Sequence, residues 1–141
     1  MDHAQWQRIV GALQDVSDID SAVAAAAELQ ASASSEDLQR LVELLTDESF
    51  FVREAAAWPL SDLGRVDVLP QLLAAYQRGF DEGHDNDGFS AALIDLVQSK
   101  SVEAQTQLQA LATANDSALR ENAVWLLEFV RDALDGGARS R

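Results

Sequence analysis

Leu41-Val42-Glu43-Leu44-Leu45-Thr46-Asp47, a short break, then Val52-Arg53-Glu54-Ala55-Ala56-Ala57-Trp58-Pro59-Leu60-Ser61-Asp62-Leu63-Gly64: this stretch decides the fold. Leu38, Leu41, Val42, Leu44 and Leu45 recur at three and four residues, the spacing of one helix face. Val52, Ala55, Ala56, Leu60 and Leu63 resume the pattern after Asp47–Ser49, where Ser49 is a candidate N-cap. Two amphipathic helices joined by so short a turn pack as an antiparallel pair. Sliding the chain by 67 positions lays Leu41, Leu44, Val52, Arg53, Glu54, Ala56, Trp58, Leu60 and Leu63 on Leu108, Leu111, Leu119, Arg120, Glu121, Ala123, Trp125, Leu127 and Val130. Two helix pairs fit in that interval, so the repeating unit is about 33–34 residues.

Outward from the repeat, the helical period continues through the chain. It predicts eight helices, at roughly 4–15, 19–32, 36–46, 50–63, 67–79, 87–98, 101–114 and 117–134. Candidate N-caps fall at Asp18, Ser35, Ser49, Asp67, Asp87, Ser101 and Ser117. Alternating β-branched runs with Asn-Gly turns are missing, so no strands are expected. The fold class read here is all-α: a right-handed alpha-solenoid of about four antiparallel helix pairs, near 4–32, 36–63, 67–98 and 101–134. A single domain over residues 1–135 would be followed by a flexible tail, 136–141. The third pair is degraded, with Gly88 and Phe89 where Val and Arg are expected, and the first is loose and Ala-rich.

The pattern resembles HEAT-like repeats, and small acidic bacterial members in particular. A second helix opening Val-Arg-x-x-Ala-Ala, after a Leu-rich first helix and a turn with Asp, is the family's typical unit. The clear match covers 41–73, a fair one 108–130. The resemblance implies that the second-helix arginines, Arg53 and Arg120, form a ladder with turn acids of adjacent repeats; a guanidinium has the donors for it. It also implies that second helices line a concave surface. Trp58 and Trp125 stand where the family allows any residue, at the edge of a stripe already filled by Val52, Ala56, Leu60 and Leu63. Two readings are open: each indole anchors a partner, or each covers the seam to a neighbouring repeat. Pro59 removes an interior amide donor and predicts a bend beside Trp58.

Composition narrows the function. The 141 residues carry 10 basic and 24 acidic side chains, a net charge of −14. The basic residues are spread almost evenly from Arg8 to Arg141, so no face is built for a phosphate backbone or an anionic membrane. Cysteine is absent, and with it thiolate zinc sites, disulfides and thiol nucleophiles. His3 and His84 are far apart in the chain. No metal or cofactor is expected. In Phe80-Asp81-Glu82-Gly83-His84-Asp85-Asn86-Asp87-Gly88 the acids superficially imitate a calcium loop, but Gly83 falls at the first ligand position and Ile94 at the bidentate Glu. An acidic inter-helix loop is the better reading. Catalytic signatures such as a P-loop, Gly-x-Ser-x-Gly or His-Glu-x-x-His do not occur, so no catalytic residues are assigned. HEAT-like DNA glycosylases need a basic groove, from which this chain departs. The N-terminus shows no basic leader followed by an apolar stretch, which predicts a cytoplasmic chain.

These observations predict a non-enzymatic module that binds another protein with a basic surface. Size, charge and scaffold resemble those of immunity proteins that mask secreted toxins. The candidate contacts are Trp58 and Trp125 as anchors, with Glu54, Asp62, Glu121 and Glu128 as an acidic rim. The alternative is a structural or assembly subunit of a larger complex, as in bilin-lyase-like HEAT scaffolds. Nothing in the sequence fixes an oligomeric state.

Overall fold

The structure is a computed structural model that describes residues 1–139. Among the described residues it contains eight α-helices and no strand. They are α1 (His3–Gln14), α2 (Ile19–Ser32), α3 (Leu38–Leu44), α4 (Phe50–Asp62), α5 (Leu69–Asp81), α6 (Asp87–Ser99), α7 (Ser101–Leu111) and α8 (Ser117–Arg139). Single 3-10 turns, Ser35–Asp37 and Val66–Val68, lead into α3 and α5. Expected helix ends agree to within a few residues except at α8, which continues to Arg139 rather than stopping near 134. The tail expected at 136–141 is therefore helical as far as Arg139, and residues 140 and 141 lie outside the described residues.

Two compact units divide the chain between Leu63 and Gly64, after the second of the expected helix pairs. In the first, α1 packs on α2 and α3 on α4, while α4 also touches α1 and α2. Its core comes from Trp6, Ile9 and Leu13 of α1, Ala22, Ala25 and Leu29 of α2, Leu41 and Leu44 of α3, and Val52, Ala56 and Leu60 of α4. The alanines of α2 and α4 bring helix backbones close, and each enclosed Leu, Ile or Val contributes about 1.5–3 kcal/mol relative to exposure. In the second unit α8 is the common partner, packed against α5, α6 and α7. Leu69, Leu72, Leu73, Phe89, Leu93, Leu96, Leu108, Leu126 and Val130 fill that core.

Local chemistry sets the helix ends. Asp2 accepts from Gln5 N–H at 2.7 Å, Asp18 from Ser21 N–H at 3.0 Å, and Ser49 Oγ from Val52 N–H at 3.5 Å. Two other expected caps are one residue late: Ser34, not Ser35, opens a capping box with Asp37, and Asp116, not Ser117, accepts from Leu119 N–H at 3.0 Å. At α5, α6 and α7 the residue before the helix makes no side-chain cap bond. Asp2 and Ser49 take the extended conformation, so their side chains turn back to the free amides of the first turn. Gly64 and Gly83 follow α4 and α5 at φ +67° and +80°, where a side chain would be strained. The helix α4 runs through Pro59 as one element to Asp62. The missing Pro59 amide leaves the Ala55 carbonyl without its i+4 donor only one turn before the helix ends.

Candidate functional site

Beyond its first two residues, helix α4 offers solvent a single line of side chains. From Val52 to Asp62 every residue is buried except Glu54, Trp58 and Asp62. Four-residue spacing stacks these three on one face, acid–indole–acid. Trp58 is half-buried between its two carboxylates, and Asp62 Oδ2 accepts from Gln30 Nε2 of α2 at 2.9 Å. The local sequence explains the arrangement. Ala55, Ala56 and Ala57 are small enough to be covered on all remaining sides, which leaves the indole as the one large group with nowhere inside to go.

Helix α8 repeats the arrangement in the second unit with different surroundings. Glu121, Trp125 and Glu128 share a face at i, i+4 and i+7, both carboxylates exposed and the indole half-buried. Trp125 stacks on Tyr76 of α5 with ring centroids 5.5 Å apart and planes within 4°, and meets Phe129 edge-on at 5.5 Å. Tyr76 in turn meets Phe80 edge-on at 4.9 Å and Phe89 at 5.7 Å. Its hydroxyl shares a 2.8 Å hydrogen bond with Ser90. Burial pushes the Tyr76 phenol up, the Ser90 bond opposes that, and the Asp87 charge adds to it, so the ring stays neutral. Asn122 Nδ2 donates to Gln77 Oε1 at 3.2 Å on the same α5–α8 seam. Trp125 thus covers a seam within its unit and still carries an accessible edge.

The structure brings Glu54, Trp58 and Asp62 together on α4, and Glu121, Trp125 and Glu128 together on α8, each set within its own compact unit. Sequence reading missed Tyr76, Phe80 and Phe129 as companions of Trp125. The four-residue step from Trp125 to Phe129 was a visible signal, whereas Tyr76 reaches the indole across a helix seam that local spacing does not reveal.

The repeat arginines act on their own turns. Arg53 is fully buried and its Nη1 donates to the main-chain carbonyls of Asp47 and Glu48, at 2.8 and 3.2 Å. Arg120 Nη1 makes the equivalent bond to the Ala114 carbonyl, six residues back, at 2.9 Å but in an exposed setting. These bonds close the turn before each second helix, by main-chain acceptors. In the third pair Phe89 replaces the arginine and fills the space with an enclosed ring.

The acidic loop after α5 uses its carboxylates locally. Asp81 accepts from Gln77, Glu82 pairs with Arg78 at 2.8 Å and faces His84, and Asp85 accepts from the Asp87 amide at 2.9 Å. Among the described residues no group of three or more His, Asp and Glu side chains is placed to hold a metal ion. No helix among them is long and apolar enough to cross a membrane.

Compared with known families, residues 8–83, just over half of the chain, match HEAT repeats. The chain belongs to the HEAT repeat family. Its paired helices are those of the alpha-solenoid class, and the looser first pair is inside the match from residue 8 onward. HEAT repeats typically serve as non-enzymatic scaffolds and protein-interaction modules. No curated protein and no solved structure matches the chain.

Proposed function

We propose that this HEAT repeat chain is a non-enzymatic binding module that docks on a basic protein and masks its cationic surface, as an immunity protein masks a toxin. The observation that carries the reading is the acid–indole–acid stripe of α4, the only side chains that helix leaves accessible between Val52 and Asp62, repeated in kind on α8. A partly exposed indole flanked by carboxylates suits a cationic partner twice over. It supplies apolar contact area and a ring face for Arg or Lys, while the acids complement the charge. A net charge of −14 adds long-range attraction, which raises the association rate and makes it fall with salt.

The test is affinity capture from the producing cells, with Trp58→Ala and Trp125→Ala beside the parent protein. A basic partner should be retained by the parent and lost as ionic strength rises. Each single variant should weaken binding about tenfold or more, as buried aromatic anchors do. Unchanged retention by both variants would remove the indoles from the interface, and co-purification with stable enzyme subunits would make the chain an assembly subunit instead.

A further inference from the structure

A second surface, in the first unit, is built for an apolar contact. The end of α1, the loop after it, the start of α2 and the start of α4 enclose an open cleft of about 360 Å³. Leu13, Val16, Ile19, Ala22 and Phe51 supply its apolar lining and Asp15 stands on its rim. Two of these side chains are held out in water: Val16 is 87% exposed and Ile19 73%. Val23, one turn beyond Ile19 on α2, is also exposed and extends the same apolar face.

The surrounding charge says what would cover it. From Ile9 to Gln39 the sequence contains no Lys, Arg or His, while Asp15 lines the cleft and Asp18 and Asp20 flank its Ile19 in the chain. Arg8 is paired with Glu28, and Arg53 is enclosed and bonded to its own turn. Asp15 and Asp18 accept from Ser17 and Ser21, which holds both carboxyls below the usual carboxylate range and keeps them ionised. A second copy of the chain would bring −14 against −14 and face these acids with its own. An apolar cleft lined by the Asp15 carboxylate and bordered in the chain by Asp18 and Asp20 calls for aliphatic side chains flanked by ammonium or guanidinium groups.

We propose that this cleft docks a basic amphipathic helix of a partner protein, its Leu- or Ile-type side chains seated among Val16, Ile19 and Phe51 and its Lys or Arg residues facing Asp15, Asp18 and Asp20. The inference rests on the protein-binding reading above and adds a contact that the tryptophan stripes do not supply.

The experiment follows backbone amide shifts of the full-length chain titrated with three synthetic peptides. One is an amphipathic helix of Leu, Ala and Lys; the second carries Glu for every Lys; the third carries Ser for every Leu at the same charge. The Leu–Lys peptide should move the amides of Val16, Ile19, Ala22 and Phe51 saturably, and the other two should not. Val16→Ser and Ile19→Ser, both at exposed positions, should weaken that binding about tenfold or more with unchanged melting curves. No saturable shift, shifts confined to the α4 or α8 stripes, equal binding of the Glu or Ser peptide, or full binding by the serine variants would each overturn the proposal. Such a failure leaves the tryptophan surfaces to their own variants, Trp58→Ala and Trp125→Ala, because neither residue lines the cleft.

Discussion

Helices α4 and α8 carry the same sequence signature 67 residues apart, yet they are held in opposite ways. In α4 the guanidinium of Arg53 is sealed from water and eight of the helix's residues are buried. In α8 Arg120 is exposed, and between Glu121 and Val130 only Ala123, Leu126 and Val130 are buried. The turns that precede first helices differ likewise: Asp37 is enclosed before α3, whereas Asp67, before α5, is exposed. A repeat pattern therefore conserves bonds without conserving their weight, because a hydrogen bond's contribution depends on what replaces it when it breaks. At the surface, water replaces it; in the interior, nothing does.

The largest expected effect follows from that contrast. Arg53→Leu should destabilise the chain by about 3–5 kcal/mol, since the Asp47 and Glu48 carbonyls lose a charged donor in a buried turn. Arg120→Leu, breaking the equivalent bond to Ala114, should cost under about 1 kcal/mol. Urea unfolding of the two variants reads both numbers. Equal costs would mean that burial does not separate the two turns, and the comparison would fail.

Acid unfolding sharpens it further. Burial works against the Asp37 charge, but the Ser34 amide, the Arg40 guanidinium at 2.6 Å and the Met1 ammonium outweigh it and hold the carboxyl below the usual range. A folded pKa below the unfolded one contributes stability that is complete above the unfolded value, about 3.9, and is lost as pH falls through the folded value. Asp37→Asn should therefore remove about 2 kcal/mol at neutral pH and flatten the loss of stability below pH ~4. Asp67 is lowered in the same direction by Arg65, but that pair is in water, so Asp67→Asn should leave the acid limb almost where it was. Melting temperatures of both variants between neutral and acid pH decide the point.

Much of this was legible in the sequence. Helix positions, pairing, and the correspondence of Arg53 with Arg120 all follow from periodicity and the 67-residue offset, because an α-helix needs only local spacing to declare itself. The sequence also grouped Trp58 with Glu54 and Asp62, as an anchor and its acidic rim. What it did not carry was depth. Whether Arg53 is enclosed, whether Tyr76 backs Trp125, and whether Val16 and Ile19 are left in water depend on which helix crosses which, and residues far apart in the chain settle that. The cleft was hidden for the same reason: Ile19 reads as an ordinary helix-opening aliphatic, and only the packed unit shows it uncovered.

The smallest effect concerns the helix entrances, where the comparison reverses. Asp116 accepts from the Leu119 amide at 3.0 Å, while Ser49 accepts from Val52 at the longer 3.5 Å. A carboxylate also meets the positive end of the helix dipole, which a hydroxyl does not. Asp116→Ala should therefore cost about 1 kcal/mol, and Ser49→Ala about 0.5 kcal/mol, the low end for a lost cap. Ser117→Ala, one residue inside α8, should change stability by less than about 0.5 kcal/mol. If urea midpoints instead ranked Ser117 above Asp116, the true start of α8 would lie one residue later, and the first turn of the helix would have to be redrawn. At its entrance, then, the less buried helix depends more on its cap than the enclosed one does, since α4 buries eight of its residues and α8 only three between Glu121 and Val130.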